Sequence, residues 1–176
     1  HTDKTDMEDQ PNILVIMNEA FSDLSVYGDF NTTEDYMPFW RSLKKNTVRG
    51  NLYVSVKGGN TANTEFEFLT GNSMNFLPSG SIPYQQYILG ASDSLATLLK
   101  GYGYETRAFH PGEKTSWQRN MAYPRLGFDS FKCGDDMDVP QTDEHGYVSD
   151  DSDFRQVIWE FEHKQEGTPL FLFNVT

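Results

Sequence analysis

Two apolar runs constrain this 176-residue chain more than any other feature: Ile13-Leu14-Val15-Ile16-Met17 near one end, and Leu170 to Val175, broken by Asn174 alone, near the other. Runs of this length without polar alternation are expected of strands covered on both faces, as parallel sheets require. Between them the chain alternates. Met37 to Lys45 reads as a helix, Leu52 to Val56 as a second strand, and Thr64 to Leu69 as a short helix stopped by Gly71. Ser92 or Asp93 can cap a helix through Leu95, Leu98 and Leu99 to Gly101. Tyr104 to Phe109 reads as a strand and Trp117 to about Tyr123 as a helix before Pro124. Phe154, Val157, Ile158 and Phe161 recur at helical spacing and predict an amphipathic helix. Such alternation predicts a three-layer α/β/α sandwich with a mainly parallel sheet.

Composition narrows the partners. A net charge of −12 and a pI near 4.6 argue against nucleic acid or an anionic membrane surface. Thirteen Phe, nine Tyr and three Trp argue against disorder. The single cysteine, Cys133, excludes an internal disulfide and a cysteine metal cluster. No apolar run approaches a membrane span. Residues 1–10 read as a linker or cloning remnant, and 11–176 as the N-terminal part of a larger catalytic domain, because Thr176 falls at the carboxyl end of a strand that looks central. Ligands of open α/β sheets lie outside those ends.

The candidate chemistry centres on Gly58-Gly59-Asn60-Thr61, between an expected strand and an expected helix. A helix N-terminus favours an anion. Thr61 is there either as a nucleophile or as a helix cap, and spacing alone leaves both open. Glu19, just after the first strand, would reach the same sheet edge, and a carboxylate beside a hydroxyl suits a hard cation. His110 ends a strand; Trp117 could wall a pocket and Arg119 could hold a phosphate through a bidentate pair. Asp135, Asp136 and Asp138 read as a solvated acidic loop, and His145 and His163 as surface residues.

Several ordered segments carry a resemblance. Asn12 to Phe21, Gly59-Asn60-Thr61-Ala62-Asn63-Thr64-Glu65-Phe66, Ala108 to Gly112, Ser116 to Asn120, Gly127 to Phe131 and Leu170 to Thr176 together resemble the sulfatase-type phosphoglycerol transferases. The lipoteichoic acid synthases, within the alkaline phosphatase superfamily, are the named relatives that these segments resemble most. The resemblance implies an alkaline phosphatase-like sandwich, incomplete at the C-terminus. It implies Glu19 and Thr61 as ligands of a divalent cation, typically Mn2+, with Mg2+ or Zn2+ as alternatives and the remaining ligands outside this chain. Thr61 would take phosphoglycerol from a phosphatidylglycerol-type lipid as a covalent adduct, for a glycerol or glycan acceptor. His110, Trp117 and Arg119 would surround the glycerol phosphate. The implied setting is the extracellular face of the bacterial cytoplasmic membrane, reached through an anchor outside this sequence, and the fragment alone is expected to be inactive. Asn60 stands where lipoteichoic acid synthases often have lysine, and Ala20 where serine is common. The Cys-x-Pro-x-Arg or Ser-x-Pro-x-Arg stretch from which true sulfatases make formylglycine is missing, which speaks against a sulfate ester hydrolase; the alternatives are a phosphodiesterase, phosphatase or sulfatase-like ester hydrolase using the same threonine, and a non-catalytic binding module of the same fold.

Overall fold

The computed structural model describes residues 10 to 176 except Glu19, Ala20 and Phe30. Glu19, the expected metal ligand, and nearly all of the expected N-terminal linker therefore lie outside the described residues. The chain divides into two compact units, one of His1–Glu19 with Ser55–Thr176 and one of Ala20–Val54.

The larger unit is built on a four-stranded sheet: β1 (Ile13–Met17), β2 (Glu105–His110), β3 (Ser130–Cys133) and a last strand, Leu170–Val175. Two short strands in an excursion after β3, β4 (Asp143–Glu144) and β5 (Tyr147–Val148), pair with each other, so the last strand is β6. The main sheet has the order β1-β6-β2-β3 and every pairing in it is parallel. β6 is buried at all six positions, as its apolar run requires. β1 differs from the expectation. It is an edge strand, and Leu14 and Ile16 on one of its faces are exposed.

Helices cover both faces. On one lie α2 (Thr61–Thr70), α3 (Pro83–Gln86), α4 (Leu95–Gly101) and α5 (Arg119–Arg125); on the other lies α6 (Asp150–Glu162). The first face is the main core, where Phe171, Phe173, Val175 and Ala108 meet Phe66, Leu69, Tyr123 and Phe128. Phe128 stacks on Phe171 with ring centroids 5.7 Å apart, and Tyr123 meets Phe131 edge-on at 4.8 Å. Such aromatic pairs add about 1 kcal/mol each beyond their buried area. The second face holds Phe109, Leu170, Leu172 and Val157. The α/β/α sandwich read from the alternation is the architecture observed.

Local boundaries follow capping chemistry. Gly71 ends α2 in the left-handed conformation (φ 69°), as expected. Ser94, rather than Ser92 or Asp93, caps α4 through a reciprocal pair with Thr97. The helix expected before Pro124 instead contains that proline, after a 3₁₀ turn at Ser116–Gln118. Leu52 to Val56 forms no strand. Leu52 and Tyr53 are 84% and 89% exposed, and among the described residues no strand pairs with them to accept their backbone groups.

The unit of Ala20–Val54 contains a 3₁₀ turn at Leu24–Tyr27 and α1 (Pro38–Ser42), the shortened form of the expected Met37–Lys45 helix. Asp23 caps the turn and accepts the Tyr36 hydroxyl at 2.5 Å, while Arg41 pairs with Asp35 and Asp23.

Candidate active site

α2 begins after three consecutive left-handed residues, Gly58 (φ 68°), Gly59 (φ 90°) and Asn60 (φ 59°). Glycine adopts this conformation without a Cβ penalty, and asparagine tolerates it better than most residues. Asn60 occupies the N-cap position without a side-chain capping bond. Thr61 is therefore the first helical residue and not the cap. The residue is 7% exposed, and its hydroxyl pairs with none of the described residues. The amides of Thr61 and Ala62 lie in the first turn, where a helix supplies no acceptor of its own. A nearly buried threonine whose hydroxyl pairs with no described residue thus stands at the positive end of a ten-residue helix.

One turn further along α2, Glu65 is fully buried against Arg119, the first residue of α5. Arg119 Nε lies 3.2 Å from both Glu65 oxygens and Nη2 lies 2.5 Å from Oε1. Tyr123 donates its hydroxyl to Glu65 Oε2 at 2.7 Å. The Tyr84 hydroxyl is buried in the same cluster but reaches no partner in hydrogen-bond geometry. Burial, then the Glu65 charge, raises both tyrosines well above the usual phenol range. Burial opposes the Arg119 charge, but the hydrogen bonds and carboxylate of Glu65 outweigh it and keep the guanidinium protonated. Arg119 is reached through two left-handed non-glycine residues, Trp117 (φ 56°) and Gln118 (φ 60°), a conformation that costs of order 1 kcal/mol or more each. Trp117 itself is half-buried against the main core.

His110 closes the carboxyl end of β2. Its Nδ1 is 2.9 Å from the Val175 carbonyl at the end of β6. A carbonyl only accepts, so Nδ1 carries the proton and Nε2 presents a lone pair. Burial, then the Arg119 charge, lowers the imidazole pKa from 6.5, so the ring is neutral at pH 7. A Cβ on Gly112 would fall 2.7 Å from Nε2, so the glycine is what leaves that nitrogen accessible.

Four of the five expected site residues thus lie at the start of α2, at the turn into α5 and its first residue, and at the end of β2. Thr61 starts α2; Trp117 and Arg119 lead into α5, tied to α2 through Glu65; His110 lies within electrostatic reach of Arg119 and Glu65. Among the described residues no three His, Cys, Asp or Glu side chains gather as metal ligands. The acidic loop reading holds: Asp136 pairs with Lys114 at 3.0 Å and Asp138 with Lys132 at 2.6 Å. The buried link from Arg119 through Glu65 to Tyr123 was not legible in the sequence. A helical glutamate normally reads as solvated, and the available signal was its position one turn after Thr61 on the same helix face.

The family model for sulfatases matches residues 11–176. The chain belongs to the sulfatase family. A putative cyclic beta-1,2-glucan modification protein from Rhizobium meliloti (strain 1021) is 40% identical over 168 residues, covering 95% of this chain and 25% of that protein. The chain therefore spans about a quarter of that relative's length. Among solved structures, this sulfatase-family chain is similar to the Streptococcus pyogenes phosphoglycerol transferase GacH in complex with sn-glycerol-1-phosphate. That match has a TM-score of 0.76 and 20% identity, over 98% of this chain and 45% of the other. It is also similar to the lipoteichoic acid synthase LtaP from Listeria monocytogenes, with a TM-score of 0.60 and 24% identity over 70% of this chain and 30% of that one. These two likenesses concern the fold.

Proposed function

We propose that this sulfatase-family chain carries the nucleophile portion of a phosphoglycerol transferase acting outside the bacterial cytoplasmic membrane. The observation that carries the reading is Thr61: a hydroxyl that neither caps its helix nor pairs with a described residue, beside the free amides of the α2 N-terminus. Thr61 Oγ1 attacks the phosphorus of a phosphatidylglycerol-type lipid. The new oxygen–phosphorus bond replaces the bond to the diacylglycerol oxygen, which leaves with a proton. Phosphoglycerol then sits on Thr61 as a diester. An acceptor hydroxyl attacks the same phosphorus, and Thr61 regains its proton as the threonine bond breaks. Charge developing on the non-bridging oxygens would be met by the Thr61 and Ala62 amides and by Arg119, while His110 and Trp117 would flank the glycerol.

The family likeness suggests metal dependence. The resemblance assigns Thr61 and Glu19 to a divalent cation, of which Glu19 lies outside the described residues. The described residues gather no group of three ligands; Thr61 and Glu19 would hold the cation, which would lower the pKa of the Thr61 hydroxyl and orient it for attack. The acceptor in this reading is a saccharide hydroxyl, as the name of the Rhizobium relative suggests. Among the described residues no helix is long and apolar enough to cross a membrane.

The test uses the complete protein to which this chain belongs. It is incubated with phosphatidylglycerol and Mn2+, with and without a cyclic β-glucan, and the peptide containing Thr61 is examined by mass spectrometry. A phosphoglycerol adduct that discharges onto the glucan is expected. Discharge to water alone would make the protein a phosphodiesterase. An unmodified Thr61, with turnover unchanged in Thr61→Ala, would sink the reading.

A further inference from the structure

Arg119 is held in an unusual way for a residue that meets substrate. Its Nε and Nη2, the side edge of the guanidinium, are taken by Glu65, while Nη1 donates to no described residue. A guanidinium has five N–H donors in a planar fork, so a carboxylate on the side edge leaves the end edge, Nη1 with the second Nη2 hydrogen, for a two-point contact with a phosphate. Glu65 is itself pinned by the Tyr123 hydroxyl at 2.7 Å and sits one turn after Thr61 on the same rigid helix. Both members of the pair are at most 2% exposed.

We infer that Glu65 is a positioning residue: it clamps the side edge of Arg119 so that the guanidinium's free edge is fixed relative to the Thr61 hydroxyl. This rests on the proposed roles of Thr61 and Arg119. Glu65 need not touch the substrate. Its carboxylate is saturated by Arg119 and Tyr123, which leaves it no part in proton transfer. Its effect is geometric, because α2 carries both Thr61 and the anchor of the arginine. A displacement of about 1 Å at such a contact can cost about a hundredfold in rate. The two left-handed residues before Arg119 fit the same purpose, since they bring the α5 start down onto Glu65 instead of letting the helix begin earlier.

The experiment is a double-mutant cycle in the complete protein, measuring kcat and KM for phosphoglycerol transfer in Glu65→Gln, Arg119→Lys and the double variant. Glu65→Gln is expected to lower kcat about thirtyfold with KM changed less than about threefold, and to add less than about threefold in the Arg119→Lys background. Equal losses in both backgrounds, or unchanged kcat in Glu65→Gln, would overturn the inference. If Glu65→Gln melts without a cooperative transition, Tyr123→Phe, which removes the bond to Glu65 Oε2, is run through the same cycle under the same criterion. Full turnover in Arg119→Lys would overturn the role of Arg119 itself, and the positioning role with it. Impaired Arg119→Lys with fully active Glu65→Gln would leave the proposed function standing and remove Glu65 alone.

Discussion

Asn174, on the central strand, donates its side-chain amide to Asp153 of α6 at 2.9 Å, and the remaining side-chain oxygen of each residue is buried without a partner. Two acceptors short of a donor mark a place where a proton is welcome. Burial accordingly raises the Asp153 carboxyl from 3.8 to about 6, against the opposing hydrogen bond from Asn174 and with help from the charge of Asp150.

The pH dependence follows. The unfolded chain ionises Asp153 near 3.8 and the folded chain near 6, so the stability from its protonated form is complete below about pH 4 and is lost as pH rises through about 6. The shift corresponds to at most about 3 kcal/mol. Asp153→Asn supplies an N–H among the orphaned oxygens. It is expected to raise the melting temperature at pH 7.5 and to flatten the slope of stability between pH 4 and about 6. Urea denaturation across that range checks this, and an unchanged slope would refute it.

Gly112→Ala places a methyl group 2.7 Å from His110 Nε2 in an exposed turn. The ring must move, so transfer activity is expected to fall at least about tenfold with little change in melting temperature. In the unsubstituted protein, activity that needs the Nε2 lone pair should persist to a pH below the ordinary imidazole value, since burial and Arg119 lower the His110 pKa. A pH–rate profile reads both effects.

Ser94 caps α4 and also donates its hydroxyl to the Leu126 carbonyl beyond α5. Ser94→Ala removes the cap and strands that buried carbonyl. A loss of about 2 kcal/mol is expected, above the usual cap value of about 1. A loss confined to a few tenths in urea melts would show the second bond to be idle.

Glu160 is buried on α6 and pairs with Arg107 at 2.6 Å and Lys132 at 2.9 Å. Glu160→Ala takes one carboxylate from each cation but leaves Arg107 with Glu105 and Lys132 with Asp138, so a loss of about 1.5 kcal/mol is expected in the same assay.

These contacts also explain what the sequence could and could not disclose. The apolar periodicity of Phe154, Val157, Ile158 and Phe161 located α6 correctly, but not the side that faces the sheet. Ile158 and Phe161 are 55% and 48% exposed, while Asp153, Gln156 and Glu160 point inward with Val157. The strands beneath carry Arg107, Lys132 and Asn174, and a polar surface selects a polar helix face. Leu52 to Val56 has strand composition but no strand beside it, which composition alone does not disclose. The left-handed turn ahead of Thr61 was legible because glycines announce it. Glu65 was hidden because its burial depends on an arginine 54 residues away.

The register of the sheet sets a schedule for the ribosome. Among the described residues β1 pairs only with β6, through contacts such as Ile13↔Phe171, so this strand is completed by one made more than 150 residues after it. At 5–20 residues per second, the apolar edge of β1 waits roughly 8 to 30 s for β6 to be made. β6 also joins β1 to β2, and the His110 ring is oriented by its Val175 carbonyl. The sheet and this part of the site must then form in one late, long-range event, with a slow folding rate and a window for aggregation before it.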